Sequence, residues 1–205
     1  MINLSNKENI ALFVCDISGT FTSNKEPEDK FDKYNELGSL LEKLVKDKKY
    51  DKILFSFMTA DDRLDFLSNY VEFFNKYVKN DNIVLGLQFF SNGELNVLLD
   101  NNIIESNIYK DTYKENKIAN YAKDLSRKYN VKDIIFADDF LNIYNIELIK
   151  NELNDSNINV YGLNPFYKET NVNYFYSSNI PGIEGLVNCV QKYVDDKEKI
   201  NNKQI

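Results

Sequence analysis

The side chains with the most chemical potential in this chain stand where apolar runs stop. Asp16, Ser18 and Thr20 follow the run from Ile10 to Cys15, Thr59 follows Lys52 to Met58, and Asp138, Asp139 and Asn142 follow Asp133 to Ala137. Carboxylates, hydroxyls and an amide are oxygen ligands for magnesium and short hydrogen-bond partners for a phosphoryl group. The rest of the composition narrows the chemistry in the same direction. The 205 residues include no histidine and two cysteines, Cys15 and Cys189. A Ser-His-Asp or Cys-His nucleophile cannot be assembled, and a four-ligand Cys/His zinc site lacks its ligands. A metal here must bind oxygen, which favours magnesium, calcium or manganese.

The elements that must position these residues are legible as alternating periodicities. Ile10 to Cys15 reads as a first strand, and Phe31 to Val45 places Tyr34, Leu37, Leu41 and Leu44 on one helical face. Lys52 to Met58 is a second strand, and Leu64, Leu67, Val71, Phe74 and Val78 mark a second helix after Asp61 and Asp62. Ile83 to Phe90 reads as a third strand, with Asn92-Gly93 turning the chain into a hairpin partner at Leu95 to Leu99. A helix around Ile118 to Tyr129 leads to the strand Asp133 to Ala137. Leu141 to Leu153 is helical, Ile158 to Gly162 and Val172 to Tyr176 are strands, and Ile183 to Tyr193 is a last helix, with a polar tail from Asp195 expected to fray. The expected fold is a single α/β domain over residues 1–205. It is doubly wound and Rossmann-like, with a mostly parallel sheet and helices on both faces. In such sheets ligands bind outside the carboxyl ends of the strands, where the strand order reverses.

The formal net charge of −7 argues against a nucleic-acid partner, because an acidic surface repels a phosphate backbone. Lys43, Lys46, Lys48 and Lys49 cluster at the end of a predicted helix, where lysines meet the macrodipole as solvated surface. Met1 to Ile10 has no continuous apolar stretch, and no run reaches the ~20 residues needed to span a bilayer, so a cytoplasmic chain with no membrane partner is expected. No G-x-x-x-x-G-K-[ST] or G-x-G-x-x-G occurs, which leaves P-loop and dinucleotide-binding readings unsupported.

Taken in order, IALFVCDISGTFT, ILFSFMT, ENKIANYAKDL and IIFADDFLN resemble the four motifs of the haloacid dehalogenase-like superfamily, over most of the chain. The resemblance implies phosphoryl transfer through an aspartyl-phosphate, with Asp16 as nucleophile and Thr59 hydrogen-bonded to the phosphoryl group. Ser56, inside the strand, is the weaker candidate for that bond. Lys117 would neutralise the crowded negative charge, with Lys110 and Lys114 as alternatives. Magnesium would be held by Asp16, Asp138 and the backbone carbonyl of Ser18, with Asp139 or Asn142 assisting.

Two departures from the family pattern matter. In its phosphatases the residue two after the nucleophile is an aspartate serving as general acid and base, and here it is Ser18. A lost proton donor typically removes ~10²–10⁴-fold of rate, so a binding or regulatory protein that keeps the fold is the competing expectation. Neither Thr22 to Lys30 nor Thr59 to Lys117 has room for a large cap domain. The resemblance to uncapped relatives implies an open site, and with it a phosphorylated substrate, small molecule or macromolecule, or closure by a second copy in a homo-oligomer.

Overall fold

The computed structural model of the protein describes residues 7–23, 30–47, 49–58, 64–78, 81–87, 90–91, 94–99, 102–108, 113–154, 156–167 and 172–202. Its elements run β1 (Asn9–Asp16), α1 (Phe31–Lys46), β2 (Lys52–Met58), α2 (Leu64–Tyr77), β3 (Ile83–Leu87), β4 (Phe90–Ser91), β5 (Glu94–Leu99) and β6 (Asn102–Ile108). They continue with α3 (Lys114–Lys128), β7 (Asn130–Ala137), α4 (Ile143–Leu153), β8 (Asn159–Asn164), β9 (Phe175–Ser177) and α5 (Gly182–Asn202).

Six strands pair in parallel in the order β3-β2-β1-β7-β8-β9. The chain winds outward from β1 to β2 and β3, and β7 returns to the other side of β1. The order therefore reverses between β1 and β7, which creates a crevice beyond their carboxyl ends. Beyond β3 the sheet turns antiparallel: β5 pairs with β3, β4 and β6.

Burial explains the near-continuous apolar run of β1. Ala11, Phe13 and Cys15 face a core shared with α1, α2 and α5, whereas Leu12 and Val14 face a second core with α3 and α4. A strand covered on both faces has no position for a polar side chain until it leaves the sheet, and it leaves at Asp16. In α1, Tyr34, Leu37, Leu41 and Leu44 are buried at helical spacing.

Three differences from the sequence reading have physical causes. Helix α3 begins at Lys114 rather than near Ile118, because its first turn is polar and carries no apolar periodicity to read. Helix α5 continues through the polar tail to Asn202. Lys197 bonds Asp133 at 2.5 Å and Tyr161 at 2.9 Å, and Lys43 pairs with Glu198, so tertiary ties hold a stretch that composition alone leaves loose. Strand β6 had no forecast, since NIIESNI neither alternates nor forms an apolar run. The turn signal Asn92-Gly93 lies outside the described residues, and β4 and β5 pair on either side of it.

At the amino edge of the sheet, a buried polar cluster ties α5 to β7. The hydroxyls of Tyr50 and Tyr193 and the Lys197 ammonium all donate to Asp133, while Asn159 donates to its other oxygen at 2.8 Å. No helix among the described residues is long and apolar enough to cross a membrane.

Candidate functional site

Parallel pairing sets Cys15 opposite Ala137 and Asp16 opposite Met58. Asp16 and Asp138 are thus each one residue past the last rung shared by β1 and β7, at the reversal of strand order. The chain leaving Asp16 is held in a tight turn. Gly19, at φ +84°, donates to the Thr22 carbonyl at 2.6 Å, and Thr22 donates to Ile17 at 2.9 Å. Only glycine takes that φ without steric cost. The ring of Phe21 then anchors the turn in the core, 4.8 Å from Phe57 and 5.0 Å from Tyr34 between centroids. The Gly19 carbonyl oxygen also accepts the Gly182 N–H at 2.9 Å, fixing the turn to the start of α5.

The second carboxylate-bearing turn is held by a residue absent from the motif reading. Asn164, fully buried at the end of β8, donates to the carbonyls of Asp139 at 3.1 Å and Leu141 at 2.7 Å and accepts from the Phe166 N–H at 2.8 Å. Asp138 accepts the Phe140 N–H at 2.8 Å on one oxygen. A buried asparagine at the end of an apolar strand is the signal that could have flagged Asn164, since such an amide persists only when its hydrogen bonds are met.

Lys114, the first residue of α3, brings its ammonium to 3.0 Å from Asp138 and 3.7 Å from Asp16. Burial pulls this amine down, but Asp138 and then Asp16 outweigh burial and hold it above its ordinary range. Asp16 is pushed up to about 7, first by burial and then by Asp138 and Asp139, which together overcome the help from Lys114. Asp139 is raised as well, by burial and by Asp138. Its carboxylate lies over Gly19, where a Cβ would come within 2.6 Å of the Asp139 Cγ. Asp139 Oδ1 is buried without a hydrogen-bond partner. Cys15, beside this cluster, is buried, and burial together with Asp16 and Asp138 holds its thiol well above its usual range. It is no nucleophile.

The structure brings together Asp16, Asp138, Asp139 and Lys114. Lys117 is buried one turn further along the same helix. Ser18 is exposed in the turn after Asp16. Asn142 is taken up by the helix it precedes: its side-chain oxygen accepts from Tyr144 N–H at 2.9 Å and Asn145 N–H at 3.3 Å, capping α4. Ser56 is buried within β2. Thr59 and Lys110 lie outside the described residues.

No protein-family model matches the chain, and no curated protein or solved structure matches it either. What the site can do is therefore read from its own atoms. Its donors are oxygens, one of them orphaned, and burial, joined by the crowding of three acids around a single ammonium, raises two of those acids. In donor type these oxygens are the ones a hard divalent cation takes. Among the described residues no three His, Cys, Asp or Glu side chains gather as a ready cation cage, and Asp16 and Asp138 close on Lys114 instead. A groove of about 450 Å³ lies at the other edge of the sheet, beside the start of β8. It is lined by Lys150, Asn159 and Tyr174, with no carboxylate among the described residues.

Proposed function

We propose that the chain is a magnesium-dependent phosphoryl-transfer enzyme, a phosphatase or phosphotransferase that works through an aspartyl-phosphate on Asp16, as an uncapped protein of the haloacid dehalogenase-like kind. The observation that carries this reading is the meeting of Asp16 and Asp138 at the reversal of strand order with the Lys114 ammonium between them. Asp16 is mostly buried yet opens to the crevice, as a carboxylate must if it is to reach phosphorus. Attack by its oxygen forms the new P–O bond as the leaving group departs with its electron pair. Lys114, a positive charge at the mouth of the strands, offsets charge that would otherwise repel the incoming phosphate. Asp16, Asp138 and Asp139 would hold magnesium, with the Ser18 carbonyl completing the family's pattern, and the ion would supply further neutralisation of the phosphoryl oxygens. Asp139, with its unpartnered oxygen, is the better assistant than Asn142, whose oxygen is engaged as a cap.

The exposed hydroxyl of Ser18 favours a second reading, a protein that keeps the fold and the cation but has lost efficient turnover. Hydrolysis of para-nitrophenyl phosphate, with magnesium or with chelator, separates the two. The first reading predicts turnover that needs both the metal and Asp16. If wild type is silent while Ser18→Asp gains ~10²-fold or more on the same ester, the second reading holds, because the restored acid finds an otherwise intact site.

A further inference from the structure

Phe31, Tyr113, Phe140, Tyr144, Phe166 and Tyr167 are the exposed large hydrophobic side chains among the described residues. Phe31, the first residue of α1, lays its ring on Tyr77, 5.0 Å between centroids. The other five share one edge of the sheet. Tyr113 precedes Lys114, Phe140 and Tyr144 lie in the β7–α4 connection and the first turn of α4, and Phe166 and Tyr167 follow β8. This is the edge that carries Asp16 and Asp138.

The rim is tied to the carboxylates by hydrogen bonds. The Phe140 N–H is held by Asp138, and the Phe166 N–H is held by Asn164, which also grips the Asp139–Leu141 turn. Phe140 nevertheless stands 86% exposed. Covering such a ring removes apolar surface from water, and apolar side chains gathered at one functional edge mark a surface that receives a ligand.

A second observation concerns the leaving group. On the phosphoryl-transfer reading, on which this inference rests, Asp138 and Asp139 serve the cation and Lys114 the phosphate charge, while among the described residues the turn after Asp16 carries hydroxyls, that of Ser18 exposed, and no carboxyl. A serine hydroxyl gives no proton to a departing alkoxide, whose parent alcohol is about as weak an acid as water. A phenolate, whose parent acid lies near ~10, departs far more readily without a donor.

We propose that the substrate is an aryl phosphate monoester, whose ring rests on the rim of Phe140, Phe166 and Tyr113 while Asp16 takes the phosphoryl group. The Asp16 oxygen bonds to phosphorus as the P–O bond to the ring breaks and the phenolate leaves with the electron pair. Water then attacks phosphorus, the Asp16 carboxylate is released, and both protons of the water remain on the inorganic phosphate. Offset stacking on such rings adds to the gain from burial.

The test compares phenyl phosphate with acetyl phosphate, whose acyl leaving group also departs without a proton but carries no ring, using the full chain with magnesium. Phe140→Ala is expected to lower kcat/KM for phenyl phosphate by about tenfold more than for acetyl phosphate, chiefly through KM, with Phe140→Tyr restoring the difference. In a series of substituted phenyl phosphates, wild-type kcat should fall steeply as the phenol becomes a weaker acid, and Ser18→Asp should flatten that slope. Equal losses on the two substrates, with Asp16-dependent turnover of both, overturn the aryl assignment and leave phosphoryl transfer standing. Turnover of neither overturns both.

Discussion

Asp16 and Asp138 come from strands separated by more than a hundred residues, yet each stands one residue past the Cys15–Ala137 rung, and one ammonium, that of Lys114, faces both. Their proximity is a property of the β1–β7 pairing and so is shared with the most buried part of the sheet. The two acids cannot move apart without unzipping that pairing, which makes the pair an enduring concentration of negative charge at the mouth of the crevice.

The first expected consequence is a pH dependence of stability. Asp16 titrates at about 7 in the folded chain and near ~3.9 unfolded. A carboxyl raised on folding binds its proton more tightly in the native state, so its stabilisation is complete below the unfolded value and is lost as pH rises toward 7. In chelator, Asp16→Asn should melt higher than wild type at about pH 8, with the gap closing toward about pH 5. Magnesium at about pH 8 should raise the wild-type melting temperature and leave that of the variant where it was. Thermal melts in the four conditions check this, and parallel curves for the two proteins would contradict it.

Lys114 and Lys117 separate by function. Lys114→Met removes the charge between the acids and should lower kcat/KM by ~10²-fold or more, with KM for the phosphoester rising. Lys117→Met should act mainly on the melting temperature, because Lys117 is buried on the helix. Steady-state kinetics well below each melting temperature decide it; a larger kinetic loss at Lys117 would return the charge-neutralising role to that residue.

Asn164→Leu keeps the volume and strips three hydrogen bonds from the Asp139, Leu141 and Phe166 backbone groups. Each buried group left unmet costs about 1–3 kcal/mol. The melting temperature should fall, and the magnesium concentration for half-maximal activity should rise, since the turn carrying Asp138 and Asp139 loses its clamp. A destabilised variant with an unchanged magnesium requirement would limit Asn164 to a structural role.

Asp133 supplies the contrasting case at the opposite edge of the sheet. Asp133→Ala takes from the Lys197 ammonium and two tyrosine hydroxyls the carboxylate they share, a change that typically costs about 3–5 kcal/mol for a buried pair. Denaturant unfolding should register that loss while kcat at low temperature stays at the wild-type value.

The fold was legible to the degree that burial imposes period. β1, β2 and α1 follow from apolar runs that the two-sided core demands, and Asp16 and Asp138 stand out because they interrupt such runs. What escaped had no apolar signature. The first turn of α3, with Lys114 in it, is polar, and its placement depends on two carboxylates remote in sequence. Asn164 reads as one more asparagine in an asparagine-rich chain until its three hydrogen bonds are seen. Asn142 matched a motif position but answers a local demand, since a helix start needs a cap.

The most direct test is to quench wild-type protein during turnover of para-nitrophenyl phosphate with magnesium and to map the phosphorylated peptide by mass spectrometry. The account predicts a hydroxylamine-labile phosphoryl adduct on Asp16, formed at the rate of the nitrophenolate burst and missing from Asp16→Asn. Turnover by Asp16→Asn at the wild-type rate, or an adduct on any other residue, would contradict it.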